Sequence, residues 1–192
     1  MGFLQQKDME ALGFKRLGRE VRISDKASIH DADRIEIGDR VRIDDFCVVS
    51  GQVVIGRNVH IAVFCNLAGG TEGIELHDFC GLAYACHVFS QSDDYSGAGM
   101  TNPTVPERFK RETKARVRVG RHCILGTKSV VMPGVDLAEG CAIGAMSLVL
   151  GSTEPWSVYA GIPARKIGDR RQDLLQLEQT YLRECGLGNG RD

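Results

Sequence analysis

The sequence contains no run of about 18 apolar residues, so no segment has the length and character of a membrane-spanning helix. Its first residues, Met1-Gly2-Phe3-Leu4-Gln5-Gln6, lack the charged-then-apolar order of a signal peptide, and Gln6 breaks the myristoylation pattern. A cytoplasmic protein without membrane insertion is the expectation. Net charge is lacking as well: 24 Lys and Arg against 25 Asp and Glu leave −1, which gives no electrostatic support for binding nucleic acid or a membrane surface. Close Cys-x-x-Cys pairs are missing, so the seven cysteines do not read as a zinc or disulfide framework. At 192 residues the chain suits one domain with a sizeable core.

The ordinary periods are absent too. An amphipathic helix repeats at about 3.6 residues and a half-buried strand at about 2. Here aliphatic residues recur every six, at Ile37, Ile43, Val49, Ile55, Ile61 and Leu67, at Leu76, Leu82 and Val88, and at Val119, Leu125, Val131, Leu137, Ile143 and Val149. Four residues after each stands a small or β-branched residue, among them Val41, Cys47, Val59, Cys65, Cys80, Cys86, Cys123, Ser129, Cys141 and Ser147. A six-residue period held this long signals a stacked parallel β-helix, an all-β solenoid with both positions facing inward. Six of the seven cysteines occupy the small inward slot, where a thiol acts as a small hydrophobe; Cys185 stands outside the repeats. Gly, Ala or Asp often follows the aliphatic, as at Gly38, Asp44, Ala62 and Gly126, which suits a tight corner where glycine tolerates unusual backbone angles.

Three hexapeptides per triangular coil group the series as 17/23/29, 37/43/49, 55/61/67, 76/82/88, 119/125/131 and 137/143/149. Six coils at roughly 4.8 Å make a prism about 29 Å long. Every interruption falls after the third hexapeptide of a coil, so insertions leave from one corner. The expected organisation is an N-terminal helical cap over 1–16, the repeat domain over 17–153 with an excursion loop at 89–118, and a C-terminal turn, helix and tail over 154–192. Short helices are expected over 4–12, presenting Leu4, Met9 and Leu12, and over 169–185. The second carries Leu174, Leu177, Tyr181 and Cys185 on a stripe expected to cover the last coil or a neighbouring subunit. Residues 186–192 are expected to fray. The excursion ends in a basic run, Arg108, Lys110, Arg111, Lys114, Arg116, Arg118 and Arg121, that is either solvated or faces phosphates.

These repeats resemble a known family. The matching stretches are Ile37-Gly38-Asp39-Arg40-Val41-Arg42-Ile43, Val119-Gly120-Arg121-His122-Cys123-Ile124-Leu125-Gly126, Val131-Met132-Pro133-Gly134-Val135, and Tyr159-Ala160-Gly161-Ile162-Pro163-Ala164-Arg165-Lys166. They are similar to the left-handed β-helix acyltransferases with hexapeptide repeats, in the branch of galactoside, maltose, xenobiotic and surface-polysaccharide acetyltransferases. The left hand of the coil comes from this resemblance alone, because parallel crossovers are in general right-handed. The resemblance further implies acetyl-CoA (acetyl-coenzyme A) as donor, a homotrimer with active sites between neighbouring prisms, and a sugar or nucleotide-sugar acceptor used for lipopolysaccharide or another surface polysaccharide.

By the same resemblance, cofactor contacts fall on Thr127, Ala145, Arg165 and Lys166. Relatives often carry Thr-Lys where this chain has Leu150-Gly151, and Trp156 is read either as a partner for the adenine or as a packing residue. Catalysis departs further. An ungapped alignment from Ile74 places Asp93 where many relatives carry a histidine general base; His87, facing outward beside the loop, is the candidate imidazole in its place, and His60 lies at another corner. A hydroxyl acceptor needs a base worth roughly 10²–10⁴-fold, and aspartate is ordinarily a weak one. A neutral amine attacks a thioester directly, with Asp93 or Asp94 orienting the ammonium form or accepting a proton. The Asp93-Asp94 pair therefore tilts the reading toward N-acetylation. Two alternatives stand beside it: a non-catalytic scaffold, and a metal-dependent carbonic anhydrase of the same solenoid. For the latter His60, His77, His87 and His122 lack that family's clustering, so no metal is expected.

Overall fold

Aliphatic side chains six residues apart fall on successive sheets, and those a full coil apart stand one above another in three columns, in the computed structural model, which describes residues 2–186. The first sheet pairs Leu17, Ile37, Ile55, Leu76, Val119 and Leu137 in register. The second stacks Ile23, Ile43, Ile61, Leu82, Leu125, Ile143 and finally Tyr159. The third stacks Ile29, Val49, Leu67, Val88, Val131 and Val149. All these pairs are parallel, and the molecule is a left-handed parallel β-helix. It has six complete coils and one rung more than the period predicts, because Ser157–Gly161 adds a seventh strand to the second sheet.

The inward positions four residues on form three further ladders, and all six repeat cysteines are buried in two of them. Their thiols also satisfy backbone: Cys47 Sγ donates to the Ala62 carbonyl at 3.0 Å, Cys65 to Ala83 at 3.0 Å and Cys80 to Gly120 at 3.0 Å, each one coil on. Ser129 Oγ repeats the contact to Gly144 at 2.9 Å. Burial pushes the Cys80 thiol up to about 12, so it stays protonated as a donor.

The corners differ from expectation in one respect. The left-handed backbone falls two residues beyond the small residue, at Arg40, Asn58, Phe79 and His122 on the first corner and at Phe46, Phe64, Ala85, Lys128 and Met146 on the second, with φ between 56° and 66°. Gly38 and Gly126 are small for another reason. A Cβ there would lie 2.7 Å from the Gly56 carbonyl carbon and 2.5 Å from the Ala145 nitrogen, so the stacking distance between coils excludes it.

Both ends are covered, as open strand edges require. Phe3 bridges Ser24 antiparallel and the Leu4 N–H donates to Ile23 at 2.9 Å, so the first helix is confined to Gln6–Ala11, with Met9 buried and Leu12 exposed. At the other end Ala164–Asp169 folds back antiparallel on Ser157–Gly161, and the second helix starts only at Leu174, ending at Glu184. This helix buries Glu178 and Leu182 and leaves Leu177 and Cys185 exposed, unlike the apolar stripe expected. It runs along the first corner, where Asn58 Nδ2 donates to Tyr181 Oη at 2.8 Å and His122 Nε2 lies 2.8 Å from Glu178. It therefore clasps the middle coils rather than covering the last one. The expected fraying falls on residues 187–192, outside those described.

Candidate active site

Insertions leave from the corner between the third and first sheets, and the longest makes an arm. It departs as Gln91–Ser92 and returns as Thr113–Lys114, the two pairing antiparallel. The arm closes over the outer face of the third sheet and encloses a cleft of about 740 Å³. Its floor is Phe89, Val130, Met132, Leu148 and Leu150; its wall is Gln91, Ser92, Asp93, Tyr95, Pro103 and Glu112. A concave apolar floor with a few convergent polar groups is the usual form of a small-molecule site.

The two aspartates of the arm are held differently. Asp94 accepts the Ser96 and Gly99 N–H groups, both at 2.9 Å, and the hydrogen bonds from Ser96 hold its carboxyl down at about 2. Asp93 faces the cleft, with one long contact of 3.4 Å from the Asn102 N–H. His87 lies on the outer face of the third sheet between Asn66 and Val130, its ring stacked on Phe89 at 6.0 Å, so it flanks the cleft without lining it. The other histidines lie elsewhere. His60 Nε2 is 2.8 Å from Asp44 on the second sheet, and His77 is 3.9 Å from Glu75. His122 is buried under the C-terminal helix, where burial and the Arg121 and Arg170 guanidiniums push it down to about 4. Among the described residues no three metal-type side chains converge.

Thr127 and Ala145 are neighbours on the second corner. The Lys128 N–H donates to Tyr84 at 2.9 Å and the Met146 N–H to Thr127 at 2.8 Å, which stacks Tyr84, Thr127 and Ala145 in successive coils. The third sheet runs from this corner to the arm; Thr127 and Ala145 do not line the cleft themselves, and stand three residues before the floor residues Val130 and Leu148. Such a ladder offers an amide chain exposed backbone groups. Arg165 and Lys166 lie on the exposed outer strand of the terminal hairpin. Glu154 and Asp169 sit at 2.9 and 2.8 Å from Lys166 Nζ and raise its pKa. Arg165 Nη1 donates to the Ala164 carbonyl at 2.9 Å, and Lys166 is held by its two carboxylates. Trp156 packs on Gly140 at the first corner and leans over His122, at 6.3 Å, away from Thr127 and Ala145.

The basic run is largely neutralised within the chain. Lys110 and Lys114 each bridge Glu107 and Glu112 at 2.8–3.1 Å, Arg118 meets Asp136 at 2.9 Å, Arg116 pairs with Glu75, and Arg121 with Glu178. Sequence reasoning did not find Tyr95, Glu112 or the apolar floor. The signal was present: the outward positions of the third sheet mix Ser28, Val48, Ser50, Asn66 and Ala68 in early coils but are all large and apolar, Val130, Met132, Leu148 and Leu150, in the last two.

Comparison with known proteins gives the arrangement relatives. A family model described as bacterial transferase hexapeptide (six repeats) matches residues 34–69. The dTDP-4-amino-4,6-dideoxy-D-glucose acyltransferase of Escherichia coli is 40% identical over 184 residues, covering 94% of this chain and 95% of that one. The structure of AntD, an N-acyltransferase from Bacillus cereus in complex with dTDP and 3-hydroxybutyryl-CoA, superposes with a TM-score of 0.95 at 40% identity, covering 96% of this chain and 98% of that one. WbbJ of Escherichia coli K12, named for O-acetyl transfer in lipopolysaccharide biosynthesis, is 27% identical over 149 residues, 76% of this chain and 74% of that one. The likeness covers nearly the whole chain, which belongs to the hexapeptide-repeat sugar acyltransferases, enzymes that draw the acyl group from coenzyme A.

Proposed function

We propose that the chain transfers an acyl group directly from coenzyme A to the amino group of a dTDP-linked 4-amino-4,6-dideoxyhexose. The observation that carries this reading is the cleft wall, which presents the Asp93 carboxylate and no imidazole. The neutral amine attacks the thioester carbon, the C–N bond forms as the C–S bond breaks, and the amine's proton passes through Asp93 to the departing sulfur. Backbone N–H groups at the coil corners are the donors for the developing oxyanion. Asp94, engaged by Ser96 and Gly99, shapes the turn that presents Asp93. His87, at the edge of the floor, is the base available to a hydroxyl acceptor. Thr127 and Ala145 take the pantetheine along the second corner, and Arg165 and Lys166 the phosphates.

The acceptor follows the relatives that align over nearly their whole length, both named for amino-sugar or N-acyl transfer. The product serves a lipopolysaccharide or other surface polysaccharide, made in the cytoplasm. A homotrimer completes the site. Phe46, Phe64, Tyr84 and Met146, each 50–63% exposed, line the second corner and form an apolar edge that a second copy would cover. A screen of amino and hydroxyl nucleotide sugars, read by thiol release, tests the reading: amino sugars should turn over, and release with hydroxyl sugars alone would refute it.

A further inference from the structure

Asp93 lines two cavities, of which the smaller carries the greater share of hydroxyl and carboxylate groups. One is the 740 Å³ cleft with its apolar floor. The other, about 360 Å³, is lined by Ser92, Asp94, Ser96 and Thr113 and by Pro133 beneath. Ser92, Asp93, Tyr95 and Met132 belong to both. We infer that the larger cavity is an acyl-chain subsite built for donors longer than acetyl and the smaller one holds the acceptor sugar, the two meeting at Asp93. The inference rests on the transferase reading and extends it to the choice of donor.

Three observations support the assignment. The outer face of a β-helix sheet ordinarily faces water, and in the first coils the third sheet is mixed there, with Ser28, Val48, Ser50, Asn66 and Ala68. In the last two coils the same positions are Val130, Met132, Leu148 and Leu150, an unbroken apolar surface that is half-buried except at the exposed Leu150 and suits an apolar occupant. Second, the floor strands begin at Val130 and Leu148, three residues beyond Thr127 and Ala145, so a thioester arriving along that corner has the floor ahead of it for its acyl chain. Two carbons would leave most of the surface wet, whereas each further buried methylene strengthens binding about fourfold. Third, the smaller cavity offers two serine hydroxyls, a threonine hydroxyl and carboxylates, groups that exchange hydrogen bonds with a hexose. An amine held there lies beside Asp93 and faces the larger cavity.

A donor series tests both halves. With a fixed amino-sugar acceptor, kcat/KM should be at least threefold higher for butyryl-CoA than for acetyl-CoA. Leu148→Trp, which fills the floor, should lower the butyryl-to-acetyl ratio at least tenfold, and Leu150→Trp is the second variant should the first fail to fold. Thr113→Val should raise the KM of the acceptor at least threefold while the donor KM moves less. A preference for acetyl, or a ratio that neither tryptophan moves, overturns the acyl subsite; a Thr113→Val effect on the donor alone overturns the sugar subsite. Failure of every acyl-CoA with every nucleotide sugar would instead refute the transferase reading, so the two failures are separable.

Discussion

Asp93 and Asp94 are adjacent in sequence and differ in what holds them. Two backbone N–H groups engage Asp94, whereas Asp93 is left facing the cleft. Asp93→Asn should therefore lower kcat at least 100-fold with the donor KM within threefold, a loss in the range of a proton-transfer group. Asp94→Asn should raise the acceptor KM more than it lowers kcat, because it loosens the turn. If Asp93→Asn and His87→Ala both left turnover unchanged, the assignment would fail. His122 makes a separate prediction. Its folded pKa near 4 lies below the 6.5 of the unfolded chain, so the unfolded state takes up the proton first and stability falls as pH drops from about 6.5 toward 4. The melting temperature of His122→Gln should decline less over that interval; an identical decline would remove His122 from the account.

At the scale of elements, the strands were legible and the last helix only in part. Every repeat aliphatic fixes its own column because a six-residue step returns to the same face one sheet on, and that rule needs no tertiary information. Glu178 obeys no such rule. A carboxylate reads as solvent-facing until Arg121 and His122, more than fifty residues away, are known to meet it, so an apolar stripe through Leu177 looked like the packing face. Residues 164–169 likewise belong to a strand only because Ser157–Gly161 offers an edge. Glu178 is buried, but Arg121 is about a third exposed and His122 is neutral, so Glu178→Ala should lose roughly 1.5–3 kcal/mol in urea unfolding. A loss below about 1 kcal/mol would mean that the helix does not clasp the prism. In the basic run Lys110 and Lys114 pair locally with Glu107 and Glu112, whereas Arg116, Arg118 and Arg121 meet Glu75, Asp136 and Glu178 only once the coils stack, so those partners were not legible.

At the scale of the molecule, the period announced a three-sided prism, while its hand came through family resemblance and its cleft through the arm's return over the third sheet. Cleft volume depends on where the arm lands, which no spacing records, although the change from Asn66 to Val130 and Leu148 on one outer face marked the place. The apolar second corner predicts association. In solution light scattering should give three times the 21.0 kDa chain mass, and Phe46→Glu with Phe64→Glu should reduce it to one, whereas a wild-type monomer would contradict the trimer. The central claim is that this cleft acylates an amine. It is tested most directly by incubating the enzyme with an acyl-CoA and dTDP-4-amino-4,6-dideoxyglucose and locating the acyl group in the product by fragmentation mass spectrometry. The account predicts an amide at the 4-amino nitrogen; an ester on a sugar hydroxyl with the amine left free would contradict it.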